Sequence, residues 1–186
     1  LEAKLSHIPY RGGYAAKRWC NVTGVMLEKK AGNFRVDKLR TILLFEACFN
    51  DENKQLGRAM MYHTEEMDLL APEQFGSRKR LSAIEHCVNK RLTFYLWRQK
   101  KRPGGLCAND AKSCYDRIVH SIASLCMQRV GVPPGPIVCM FTNIQNLNHH
   151  IRTIYGDSEL SVGDKLWAIP VQGVGQGNEA GPHIWA

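Results

Sequence analysis

The 186-residue chain has no C-x-x-C pair, no internal repeat and no low-complexity tract. Nor does it have an apolar run near the roughly 18 residues of a membrane helix. Its first residues lack the pattern of a signal peptide. Seven cysteines (Cys20, Cys48, Cys87, Cys107, Cys114, Cys126, Cys139) are scattered and odd in number. That spacing argues against a disulfide framework and a zinc site, and for a reducing, intracellular setting, with nucleus or cytoplasm left open. The adjacent His149 and His150 would diverge by about 100° on a helix, so they read as structural histidines rather than a chelating pair. Hydrophobic content of 44% with 23% charged residues fits a soluble globular protein, long enough for one domain with a proper core.

Charge is plentiful and uneven. The chain carries a formal +8, and nine basic residues with one acid, Glu85, lie between Arg78 and Arg102. The cations there are Arg78, Lys79, Arg80, Lys90, Arg91, Arg98, Lys100, Lys101 and Arg102. Outside that segment 16 basic and 16 acidic residues cancel. A charge run is commonly a solvated helix face. Here Phe94, Tyr95 and Trp97 interleave with it, and arginines with aromatics suit phosphate binding and stacking on unpaired bases.

The patterning predicts an α+β domain. Arg11-Gly12-Gly13 reads as a turn before a strand from Val22 to Leu27. Ala31-Gly32-Asn33 is a second turn, and Leu39 to Phe45 a second strand. A helix is expected from Asp51 to about Leu70, ending before Pro72. Ser82 caps a long helix to about Gln99, with Ile84, Cys87, Val88, Leu92 and Leu96 as its apolar stripe. Pro103-Gly104-Gly105 then breaks the chain into a strand ending at Asp110. Asp116 can cap a helix that stops at Gly131, Pro133 to Pro136 reads as a rigid loop, and Ile137 to Leu147 as a further helix. A strand pair is expected from Thr153 to Gly156 and Leu166 to Pro170, with helix from Glu179 onward.

Two motifs carry chemistry. Asn109-Asp110-Ala111-Lys112-Ser113-Cys114-Tyr115-Asp116 puts a carboxylate before a helical pattern, with an aromatic five residues on. Far downstream, Gln172-Gly173-Val174-Gly175-Gln176-Gly177 leads through small residues to Pro182. Together with Val25 to Lys30, Leu39 to Ile42 and Gln74-Phe75-Gly76-Ser77-Arg78, their order and spacing resemble the reverse transcriptases of non-LTR retroelements and group II introns. The resemblance runs from about Trp19 to Ala186. It implies a polymerase right hand: residues 19 to 105 mainly fingers with the basic helix, and 106 to 186 the palm with its first two motifs.

The resemblance also implies roles. Asp110 would be the catalytic carboxylate holding both Mg²⁺ ions, with Mn²⁺ as the alternative, and the Ala111 carbonyl a secondary ligand. Tyr115 would exclude a ribose 2′-hydroxyl, disfavouring an RNA-dependent RNA polymerase. Arg40, with Lys29 or Lys30, would grip the incoming dNTP phosphates, and Gln176 and Gly177 would lie near its sugar. Asp116 is expected to be structural. RNA template and DNA primer are the implied partners, bound by the cations of residues 78 to 101; no membrane is expected, and oligomeric state stays open. The chain departs from the family in Arg40-Thr41-Ile42 and at Gly175 and Gly181, and it contains no Tyr-x-Asp-Asp turn. Starting at Leu1 and ending just past the second motif, it reads as a fragment, inactive alone, of an RNA-directed DNA polymerase. The alternative is a non-catalytic nucleic-acid-binding remnant of a retroelement.

Overall fold

The computed structural model describes residues 2–33, 35–153, 155–163 and 172–186. Among them are six α-helices and a five-stranded mixed sheet, an α+β arrangement. Strands β1 (Asn21–Glu28) and β2 (Leu39–Leu44) form an antiparallel hairpin, with Val25 opposite Ile42 and Leu27 opposite Arg40. Its turn is fastened by Gly32 N–H donating to the Glu28 carboxylate at 2.8 Å. Strand β3 (Asn148–Thr153) runs parallel to β1 on the other side. The returning chain pairs with the outer edge of β3 as β4 (Gly156–Asp157) and then β5 (Val162–Gly163). Between them the register slips by two residues, a bulge where Ser158 Oγ accepts from Ile151 N–H at 3.0 Å.

Helix α5 (Pro134–Gln145) supplies much of the core through Ile137, Cys139, Met140, Phe141 and Ile144, which repeat at three and four residues. Helix α1 (Glu2–Gly12) crosses it closely: a Cβ on Gly135 would lie 2.5 Å from the Tyr10 carbonyl oxygen. Between the helices and β1 sits an aromatic group, Trp19 against Phe49 at 5.5 Å and against Tyr10 at 6.1 Å. Helix α2 (Ala47–Glu66) is capped by the Glu46 carboxylate, which accepts from Phe49 N–H at 3.0 Å and pairs with Arg18. Helix α4 (His120–Arg129) ends at Gly131, whose φ of +85° lets the chain turn back so that Val132 N–H reaches the Met127 carbonyl. Helix α6 (Gly181–Trp185) packs against α2.

Helix α3 (Ala83–Gln99) starts as expected, with a full capping box between Ser82 and Glu85, yet none of its residues is buried. The expected core stripe is exposed: Ile84, Val88, Leu92 and Leu96 all face solvent. Local signals form this helix, and among the described residues no core cluster includes any of it.

Several other expectations need correction. Residues 106 to 110 form no strand; they are exposed, and no described strand lies alongside to complete a ladder. Asp116 does not cap a helix: it lies in a 3₁₀ turn, Cys114–Arg117, and α4 begins at His120. Pro133 to Pro136 is not a loop, because Pro134 occupies the first position of α5, where a missing N–H is harmless. Arg11 to Gly13 closes a helix rather than opening a strand. His149 and His150 lie on β3, which starts before Thr153. Leu166 to Pro170 falls outside the described residues.

Candidate nucleotide and nucleic-acid interface

The two sequence-distant motifs meet. Ser113 adopts a left-handed conformation (φ +52°) and directs the chain into the 3₁₀ turn that carries Tyr115 and Asp116. The glycine-rich loop docks on that turn: Gly173 N–H donates to the Ile118 carbonyl and Val174 N–H to the Tyr115 carbonyl, both at 2.8 Å. A Cβ on Gly173 would stand 2.7 Å from the Tyr115 oxygen, and its φ is +87°, so only glycine fits this approach. The Tyr115 ring rests against Gly181, where a Cβ would be 3.4 Å from two ring carbons.

The other side of the loop is fastened to β2 and α2. Leu43 N–H donates to the Gln176 carbonyl at 2.6 Å. Asn50 donates from its amide nitrogen to the Gly177 carbonyl and accepts from Glu179 N–H, each at 3.0 Å. Gly177 lies so near that a Cβ would be 2.1 Å from the Leu43 oxygen. From behind, His120 Nε2 and the Gly173 carbonyl are 2.6 Å apart, while Nδ1 lies 2.6 Å from the Gln145 amide nitrogen. Those partners fix the tautomer: Nε2–H donates to the carbonyl, and Nδ1 accepts from Gln145. Burial holds the His120 pKa below its usual value. The half-buried Gln176 keeps a side-chain amide with no hydrogen-bond partner among the described residues.

Electrostatics at the turn are modest. Partial burial raises the Tyr115 hydroxyl, with the neighbouring Cys114 thiol adding to the shift. Burial also raises the Asp116 carboxyl, opposed by Lys29, which brings the end of β1 towards the turn. Lys29, Lys30 and Arg40 are exposed at the hairpin tip. Arg40 has no carboxylate partner among the described residues, whereas Arg35 and Lys38 both pair with Asp37. The glycine loop meets the outer backbone edge of β2 at Leu43, three residues along the strand from Arg40.

Asp110 and Ala111 are not drawn into this junction. Both are exposed, and residues 106 to 109 lie instead along α3 beside Phe75, Phe94 and Trp97. Among the described residues no three His, Cys, Asp or Glu side chains converge as a metal site would require. Asp110 with a backbone carbonyl is too small a donor set for the two Mg²⁺ ions that the resemblance implies.

The basic segment divides. Arg78 is occupied, donating to Glu65 at 3.4 Å and to two carbonyls. Lys79 and Arg80 flank it on an exposed bend, Arg80 at φ +67°. Lys90, Arg91, Arg98, Lys100 and Lys101 stand exposed on or just after α3 without carboxylate partners among the described residues.

Sequence reasoning missed Leu43, Asn50, His120 and Gln145. Leu43, Asn50 and His120 bond backbone groups of the glycine loop and Gln145 acts through His120, and nothing in their local sequence signals that. No protein-family model matches this chain, and no curated protein matches it.

Proposed function

We propose that this chain is the fingers and N-terminal palm of a reverse transcriptase, a polypeptide that helps hold RNA template, DNA primer and dNTP in an RNA-directed DNA polymerase. The observation that carries the reading is the docking of Gly173 to Gly177 on the Tyr115 turn and on β2. Selection of dNTP over rNTP calls for a bulky ring beside the incoming sugar, and the docked loop leaves Tyr115 and the free amide of Gln176 on adjoining segments. Positioning of this kind is the protein's main contribution to phosphoryl transfer. Tyr115 is the sugar-discriminating residue in this reading, and Arg40 with Lys29 or Lys30 provides phosphate contacts from the hairpin tip. Asp110 is the carboxylate to test for Mg²⁺ or Mn²⁺ dependence.

A second reading is favoured by α3 alone: a nucleic-acid-binding protein without chemistry, because a cationic helix that buries nothing needs no active site to be useful. One experiment separates the two. Primer extension on an RNA template is run with the full open reading frame, dNTPs in one arm and rNTPs in the other, beside Asp110→Ala and Tyr115→Ala. The polymerase reading expects dNTP incorporation that disappears in Asp110→Ala, and rNTP incorporation that rises in Tyr115→Ala. Template binding without incorporation leaves the second reading.

A further inference from the structure

Helix α3 and the extended chain after it enclose an open cleft of about 490 Å³, away from the junction of Tyr115 and the glycine loop. That size lies within the roughly 300–1,000 Å³ of small-molecule sites. One wall is aromatic: Phe94 and Trp97 meet edge to face at 5.6 Å, with Phe75 across from them. Gly104 passes so close beneath Trp97 that a Cβ there would lie 2.5 Å from the indole, which holds the ring in place. The rest of the lining is partly polar, with one acid, Glu73, against Lys90, and the side chains of Asn89, Lys90 and Asn109 have no partner among the described residues.

We propose that this cleft takes one unpaired base of a single-stranded RNA, stacked on the Phe94–Trp97 wall, with the cations of α3 holding the flanking phosphates. Flat aromatic faces accept any base, and the two free amides are suited to its hydrogen-bonding edge. A duplex keeps its bases stacked inside and cannot fill the cleft. Charge selects the occupant: residues 78 to 102 carry a net +8, so a second copy of this chain would bring +8 against +8, whereas a phosphate strand neutralises it. The inference rests on the nucleic-acid partner of the proposed function, but on none of its polymerase chemistry.

The test uses the full chain, a short unstructured RNA and a blunt RNA duplex of the same sequence, read by anisotropy and tryptophan fluorescence. The single strand is expected to bind more tightly and to quench emission. Trp97→Ala should weaken binding on the order of tenfold and remove that quench. Because α3 buries no residue, the circular dichroism of the body should stay unchanged in this variant. Gly104→Ala, which pushes on the indole, should weaken binding as well. Equal affinity for the duplex, wild-type affinity in Trp97→Ala, or self-association that hides Trp97 would each overturn the proposal. Trp97-dependent binding, with no dNTP incorporation by the full open reading frame, would remove the polymerase reading alone and leave the cleft assigned.

Discussion

Single residues decide how firmly the two motifs are joined. Gly177 combines φ +123° with a backbone approach that no side chain can enter, so Gly177→Ala should destabilise the fold by at least about 2 kcal/mol. Urea denaturation checks it. His120 ties the loop from behind in its neutral form, and burial lowers its pKa, as it does for His149 and His183. For a base whose folded pKa is depressed, the unfolded chain binds the proton more readily. The stability contribution is therefore complete above the ordinary histidine pKa of about 6.5 and declines as pH falls below it. Denaturation midpoints should drop between pH 7 and 5, and drop less in His120→Gln. Burial pushes the Cys139 thiol up to about 12, so alkylation at mild pH should modify the exposed Cys87, Cys107 and Cys126 first and spare Cys139 until the chain unfolds.

At the scale of elements, α3 is the most instructive. Its start was legible in Ser82, because an N-cap is local chemistry, and the structure adds Glu85 to complete a capping box. Its surroundings were not legible: apolar residues at helical spacing say which face is apolar, never what covers it. With no buried residue to hold it, α3 depends on its own caps and spacing. Ser82→Ala should remove about 1 kcal/mol of helix stability, lowering helicity and RNA affinity while leaving the global unfolding midpoint almost unchanged. Each alanine replacement among its five free cations should reduce the magnitude of the log–log salt slope for single-stranded RNA by about 0.7. The β1–β2 hairpin was readable for the same local reasons, since a turn at Ala31 to Asn33 lies between two β-rich runs. The segment before Asp110 shows the converse. A strand needs a neighbour, and residues 106 to 109 found α3 instead.

The whole molecule is organised around α5 and the Trp19 group, where α1, α2 and β1 converge. Met140 is fully buried there, and Met140→Ala should cost about 2–5 kcal/mol, measured by thermal or chemical unfolding. The sequence alone determined the α+β class, the long cationic helix and the hairpin, because periodicity, caps and turn residues act over a few positions. Only the tertiary structure decided that Leu43, Asn50 and His120 hold the glycine loop beside the Tyr115 turn, and that the stripe of α3 lies open to solvent. Each of those depends on contacts between residues far apart in the chain, and backbone carbonyls, which every residue has, form most of them.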